Sequence, residues 1–350
     1  MSTQITTKHA YSLTTGMTRE EWVALRRSYI GASETAAILG FDKYRTPLDV
    51  YCEKRGESEP EPAGERAEAG LRAEQMIADW IGDLYTLKIQ RDNKIRIHPT
   101  LNYWRCNLDR VIVGQPNGTA VLELKTTSME NLKAWNPSAE DLNPTFVHHW
   151  VQVQSQLAVT GYKWAAIGVM PADSFRGFGQ PELIIIQPDQ EFISMMTEKV
   201  RIFWEEHVLT GVPPEPVTED DLKILYPRSQ PKVLEVDENT RKLVIKVARM
   251  RAAKKKIDER LEPIELSLKM LLTDYEAASC NGEVICTYKS AKDKETFNEE
   301  LFRTNHPQEA EQCVKPVLDV ELLKSRHPDL YQESLDKKPG SRSLLLKIKL

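Results

Sequence analysis

The stretch that most narrows the folds open to this chain is Tyr103–Thr127, YWRCNLDRVIVGQPNGTAVLELKTT, two runs rich in β-branched residues joined by GQPNG. Gly, Pro and Asn at the joint supply turn chemistry, so the two runs read as a β-hairpin. With the turn centred on Pro116, Val113 faces Thr119, Val111 faces Val121 and Asp109 faces Glu123. Directly opposed residues stand roughly 4.5–5.5 Å apart at Cβ, a spacing at which two carboxylates repel. A divalent cation between them turns that repulsion into ligation, and oxygen ligands of this kind suit Mg²⁺, with Mn²⁺ as a substitute. Alternation also puts Glu123 and Lys125 on one face and turns Leu122 and Leu124 to the core. An ammonium beside the pair can orient water and offset charge developing on a phosphate. Taken alone, the hairpin fits a solvated face with an ordinary cross-strand Glu and Lys equally well, since a one-residue bulge would undo the pairing.

Glu74 shifts that balance. In GLRAEQMIADWIGDLY, Leu71, Ile77, Ile81 and Leu84 share one helical face, and Glu74 sits among them at spacings of three and four. A carboxylate on a buried stripe has to be paired or bound to metal, because leaving it alone costs several kcal/mol; a salt bridge to Arg105 is the plain alternative. Farther on, VHHWVQVQSQLAVTG reads as a helix in which His148, Gln152 and Gln156 form a polar row at spacing of four. Gln152 can hold the lysine or a water by hydrogen bonds. His148 and His149 stay unassigned, as nothing at metal-ligand spacing supports a zinc site.

The rest of the chain sets these pieces in a mixed α/β frame. Before the break at Gly211–Pro216, GVPPEP, the order runs helix, helix, hairpin, helix, then strands at Lys163–Met170 and Glu182–Gln187 and a helix from Asp189. The divisions expected are 1–210 for the α/β domain, 211–232 for a linker, 233–279 for a long helix or helical hairpin, and 280–350 for a small α+β module closed by a terminal strand at Ser341–Lys349. Between Leu243 and Tyr275 a narrow apolar stripe recurs at alternating steps of four and three, with Lys254 in the seam and Pro263 interrupting. Packing on the rest of the chain is the ordinary fate of such a stripe, with oligomerisation as the alternative. Positive charge gathers on the first half of the same helix, which reads as an auxiliary DNA contact or a partner site.

A net charge of -5 leaves no global positive field to attract nucleic acid, so any DNA contact must come from local clusters. The five cysteines are scattered and lack a CxxC pair, which fits neither a disulfide framework nor a zinc ribbon and points to a reducing cytoplasm. No leader-like N-terminus and no long apolar run is seen, so no membrane partner is expected.

Taken together, a helical carboxylate, an Asp, Glu-x-Lys on the next strand and QVQ in a helix resemble the PD-(D/E)XK nucleases, and specifically the lambda-exonuclease and YqaJ group. The resemblance spans roughly Trp22–Gly161. EEWVALRRSYIGASETAAILG, YRTPLDVYCEKRGE, GLRAE, NLDRV, LELKTT and VQVQSQLAVTG carry it in order. It implies a restriction-endonuclease-like core with a central mixed sheet flanked by helices. It further implies that Asp109, Glu123 and the Leu124 carbonyl ligate metal, that Glu74 serves the metal cluster, and that Lys125 and Gln152 assist catalysis. Arg26 and Ser33 fall where the family binds a terminal 5′-phosphate. Arg110, where a Gly is common, and Asn107, where lambda exonuclease has a serine, depart from the pattern.

The activity implied is Mg²⁺-dependent exonuclease digestion of linear duplex DNA from its 5′ ends, leaving 3′ single strands for an annealing protein in phage-type recombination. The family's ring of three makes a homo-oligomer the expected state. An endonuclease with the same core and a catalytically silent DNA-binding scaffold are the rival readings.

Overall fold

The computed structural model describes residues 11–13, 18–59, 64–132, 135, 144–173, 177–291, 298–313, 318–335 and 344, which fall into two compact units, 1–226 and 227–350. In the first unit the strands are β1 (Tyr11–Leu13), β2 (Ile30–Gly31), β3 (Lys88–Arg91), β4 (Lys94–Ile97), β5 (Trp104–Cys106), β6 (Arg110–Val113), β7 (Ala120–Thr127), β8 (Ala165–Asp173), β9 (Gly177–Phe178) and β10 (Glu182–Ile186). Its helices are α1 (Arg19–Arg27), α2 (Ala32–Ile38), α3 (Pro47–Arg55), α4 (Glu65–Tyr85), α5 (Met129–Leu132), α6 (Pro144–Thr160), α7 (Gln190–Ile202) with a π-helical extension over Phe203–Val208, and α8 (Glu219–Leu225).

The central sheet has the order β10-β8-β7-β6-β3, and the mixed α/β core read from the sequence is present. β6 and β7 are the expected antiparallel hairpin, whereas β7 and β8 run parallel, a direction change made by the α6 crossover. Helices cover both faces. On one, Ile77 and Ile81 of α4 pack on Ile112, Leu122, Leu124 and Met170; on the other, Val151, Val153 and Leu157 of α6 join Val121, Ile167 and Val169. Gly168 makes the first contact possible, since a side chain there would collide with Ile81 and Leu124. A second small sheet, β1-β4-β5-β2, carries the α1–α2 elbow beside the first through the parallel pairing of β2 with β5.

Two sequence readings change here. The buried stripe of α4 runs through Ala73, Ile77, Ala78 and Ile81, leaving Leu71 and Leu84 exposed. The first unit also continues past Gly211: the Tyr51 hydroxyl donates to the Gly211 carbonyl, and buried Asp221 of α8 accepts from Thr46. Residues 211–226, read as part of a linker, therefore belong to the first unit.

In the second unit α9 (Glu238–Leu272) is one continuous helix of 35 residues, not a hairpin, with Pro263 inside it. A β-hairpin follows, β11 (Ala277–Cys280) with β12 (Glu283–Thr287), then α10 (Glu299–Asn305), α11 (Pro307–Gln312), α12 (Val320–Arg326) and α13 (Pro328–Glu333). The closing strand expected at Ser341–Lys349 falls, apart from Leu344, outside the described residues. No described helix is long and apolar enough to cross a membrane.

Candidate active site

The hairpin adopts the register that the alternation requires: Val111 pairs with Val121 and Arg110 with Leu122. One step farther, Asp109 stands level with Glu123, but the ladder stops there because the Asp109 carboxylate takes the Leu124 N–H at 2.9 Å. Burial and the neighbouring Glu123 charge push the Asp109 carboxyl up to about 7, although Lys125 and the Leu124 N–H both oppose the shift.

Glu123 is 1% exposed. Three donors converge on its carboxylate: Lys125 Nζ at 2.5 Å and Gln152 Nε2 at 2.6 Å reach Oε1, and Gln156 Nε2 reaches Oε2 at 2.7 Å. Gln152 and Gln156 stand one turn apart on α6, so a single helix face supplies both amides. Gln156 is a site residue that the sequence showed only as a member of the polar row, with nothing to rank it beside Gln152. Burial disfavours the Lys125 ammonium, yet Glu123 and Asp109 outweigh it and raise its pKa above the ordinary lysine range.

The same helix is fixed from other directions. Ser155 Oγ lies 3.0 Å from Thr35 Oγ1 of α2 and accepts from Trp104 Nε1 of β5 at 3.0 Å. Gln154 donates to the Gln187 carbonyl at 2.9 Å and accepts from the Asp189 N–H at 3.0 Å. At its start, His148 Nδ1 approaches Asp42 Oδ2 at 3.6 Å. Burial holds both His148 and His149 below the ordinary imidazole range, with the Lys125 charge adding to the effect.

Glu74 approaches from the α4 side of the sheet. Its partner is Arg110, whose Nη1 lies 3.4 Å from Glu74 Oε2 and also donates to the Asp109 carbonyl at 2.6 Å. Arg105, the partner considered from sequence, instead lies over the Tyr29 ring at 5.0 Å. Glu74 is close enough for its charge to act on both Asp109 and Lys125. Arg110 thus ties the Glu74 carboxylate of α4 to the Asp109 backbone carbonyl.

Among the described residues no three His, Cys, Asp or Glu side chains are gathered as a metal cluster. The donor chemistry nevertheless fits a hard cation: a half-buried and a buried carboxylate stand side by side, and burial together with the Glu123 charge pushes the Asp109 carboxyl up. Gln156 Oε1, buried without a hydrogen-bond partner among the described residues, offers a further acceptor for a water at this place.

Arg26 and Ser33 lie on the α1–α2 elbow. Ser33 is exposed in the first turn of α2. Arg26 pairs with Glu34, a fully buried carboxylate that the sequence did not single out. Glu34 also accepts from buried Lys54 Nζ at 2.8 Å and from the Gly31 N–H at 2.7 Å, while Lys54 donates to the Arg26 carbonyl at 2.8 Å. Against the cost of burial, Arg26, Lys54 and the Gly31 N–H bring the Glu34 carboxyl down to about 2. Arg26, Lys54 and Arg105 surround the Tyr29 ring at 5.5, 5.8 and 5.0 Å, and the charge of Glu53 reaches Arg26 and Lys54 in addition to that of Glu34.

Residues 21–163, which contain the elbow, both carboxylate strands and α6, match the family model of the YqaJ-like viral recombinase domain. This part of the chain is similar to that family. The chain as a whole is 28% identical over 329 residues to the protein YqaJ of Bacillus subtilis strain 168, covering 91% of each. Among solved structures it is similar to an alkaline exonuclease from Laribacter hongkongensis, with 17% identity and a TM-score of 0.43 over 55% of this chain and 94% of that one. A phage-related exonuclease from Haemophilus somnus 129PT has 12% identity and a TM-score of 0.40 over 54% of this chain and 97% of that one. The match to the family model begins two residues into α1 and ends just before β8, so the matched residues include the whole candidate site while β8 and β10 complete its sheet.

Proposed function

We propose that the first unit is a metal-dependent DNA exonuclease acting from the 5′ ends of linear duplexes, and that it serves recombination by exposing 3′ single strands for an annealing protein. The observation that carries the reading is the level pairing of half-buried Asp109 with buried Glu123, with Lys125 on the Glu123 carboxylate. Asp109, Glu123 and the Leu124 carbonyl would hold the metal, Mg²⁺ or in its place Mn²⁺, with Glu74 serving the cluster from α4. When bound, the ion lowers the pKa of a water and stabilises the charge on the leaving oxygen.

The residues of the chain do the positioning. Gln152 and Gln156 fix the Glu123 carboxylate from α6, which keeps its orientation independent of the lysine. Lys125 carries its proton at neutral pH, so its role is to hold the attacking water and neutralise phosphate charge rather than to act as a base. Arg110 keeps Glu74 directed at the strand carboxylates and spaces it from Asp109. At the elbow, Arg26 and Ser33 would receive a terminal phosphate, with the cations around Tyr29 favouring an anion.

The test is digestion of end-labelled linear and closed circular duplexes with Mg²⁺ or EDTA, using the wild-type chain, Asp109→Asn and Glu123→Gln. The expected result is Mg²⁺-dependent loss of the linear substrate only, from the 5′ ends, abolished in both variants. Cleavage of closed circles at a comparable rate would move the assignment to an endonuclease, and wild-type turnover in either variant would remove the carboxylates from the site.

A further inference from the structure

Helix α9 leaves Leu243, Met250, Ile257, Leu261, Ile264, Leu268 and Leu271 exposed. From Leu243 to Leu271 the apolar row recurs at alternating steps of four and three, the spacing of a two-helix seam, and Lys254 is the one polar residue in the row. Ile257, Leu261, Ile264 and Leu271 are 63%, 48%, 60% and 78% exposed. Pro263 falls between two seam residues, on the outward side of the helix, so the kinking ring stays out of the row.

Charge along the helix identifies what covers this face. From Arg241 to Lys256 there are eight cations and no acid, whereas Ile257 to Glu276 holds six acids and two cations. A parallel pairing of two such helices would stack the basic halves on each other. An antiparallel pairing lays each basic half along the acidic half of its neighbour.

We propose that α9 is a self-association helix, through which two copies of this chain pair antiparallel about a two-fold axis between Ile257 and Leu261. In that register Leu261 of each copy meets Ile257 of the partner subunit. The same register sets Val247 level with Leu271, Met250 with Leu268, and Lys254 with Ile264 across the seam. It also brings Arg251 of each copy beside Glu265 of the other, twice per pair. Among the described residues of one chain Glu265 lies 3.8 Å from Lys269, and Arg251 donates to the Leu344 carbonyl at 3.3 Å; both contacts are long enough to yield. A contact of this isologous kind closes on itself. It is independent of the catalytic reading and of any assembly made by the first unit.

The test is the native mass of the full-length chain, by sedimentation velocity across a dilution series, without DNA. A double substitution in the seam, Ile257→Asp with Leu261→Asp, is expected to halve the mass. Glu265→Arg, which changes only an exposed side chain, should weaken self-association on the order of tenfold, as two attractive pairs become repulsive. Adding Arg251→Glu to Glu265→Arg should restore it. Restoration by Arg260→Glu with Glu265→Arg instead would show parallel pairing and overturn the proposal, as would a mass unchanged by the seam and charge variants. If the seam double variant precipitates, the charge-reversal pair decides the question. A chain that stays monomeric while Lys254→Glu with Lys255→Glu loses duplex affinity would give the face to DNA. Mg²⁺-dependent digestion by the same wild-type preparation is read separately, so failure of the catalytic assignment leaves this result standing.

Discussion

Glu34 is the residue on which the α1–α2 elbow depends, and its loss allows a quantitative test. Its carboxyl is fully buried and sits at about 2 instead of 4.5. That depression corresponds to about 3 kcal/mol of stabilisation at neutral pH. Replacing it with Gln keeps the shape but removes the carboxylate that pairs with half-buried Arg26 and buried Lys54, and breaking such a pair costs roughly 3–5 kcal/mol. Because the folded-state pKa is lowered, the contribution is complete above the unfolded-state pKa and is lost as pH falls through the window from 4.5 toward 2. At about pH 3.5 it should have fallen by roughly 1.4 kcal/mol. All seven tryptophans lie in the first unit, so urea unfolding followed by tryptophan fluorescence reports that unit alone. Glu34→Gln should therefore lower its unfolding free energy by about 3 kcal/mol at pH 7, and the gap to wild type should narrow at acid pH. A gap below about 1 kcal/mol, or one independent of pH, would refute the view that this carboxylate holds the elbow through charge.

Two further outcomes bear on the catalytic assignment. Gln156→Ala should cut turnover at least as deeply as Gln152→Ala, on the order of 10–100-fold each, because each amide holds one oxygen of Glu123; single-turnover digestion with saturating Mg²⁺ measures this, and a silent Gln156→Ala would leave Gln152 as the sole positioning amide. Arg26→Ala should erase most of the preference for 5′-phosphorylated over 5′-hydroxyl ends, measured as the ratio of kcat/KM values, and an unchanged ratio would release the elbow from end recognition.

The hairpin was legible because alternation and a turn of GQPNG leave one sensible register, and Asp109 opposite Glu123 follows from counting. The α6 amides were half legible: spacing of four shows that His148, Gln152 and Gln156 share a face, but not which element that face meets. Glu34 was not legible at all. In SETAAI it reads as a favourable acid in the first turn of a helix, and its importance comes from Lys54 and Arg26, placed beside it by α3 and α1. The partner of Glu74 was misread, because choosing Arg110 over Arg105 requires the β3–β6 pairing that turns Arg110 toward α4. The exposed stripe of α9 was legible as a pattern, but whether the chain itself covered it depended on the tertiary structure.

The four residues Gln152, Gln154, Ser155 and Gln156 reach in different directions, to Glu123, to the loop at Gln187 and Asp189, and to Thr35 with Trp104. An α-helix turns about 100° per residue, so inserting or deleting a single residue at the start of this segment would swing every one of these groups off its partner at once. Substitutions along α6 can be absorbed singly, but a change of length cannot. Insertions and deletions are therefore excluded from the Gln152–Gln156 segment, whose spacing ties Glu123, the Gln187–Asp189 turn and Thr35 to one helix.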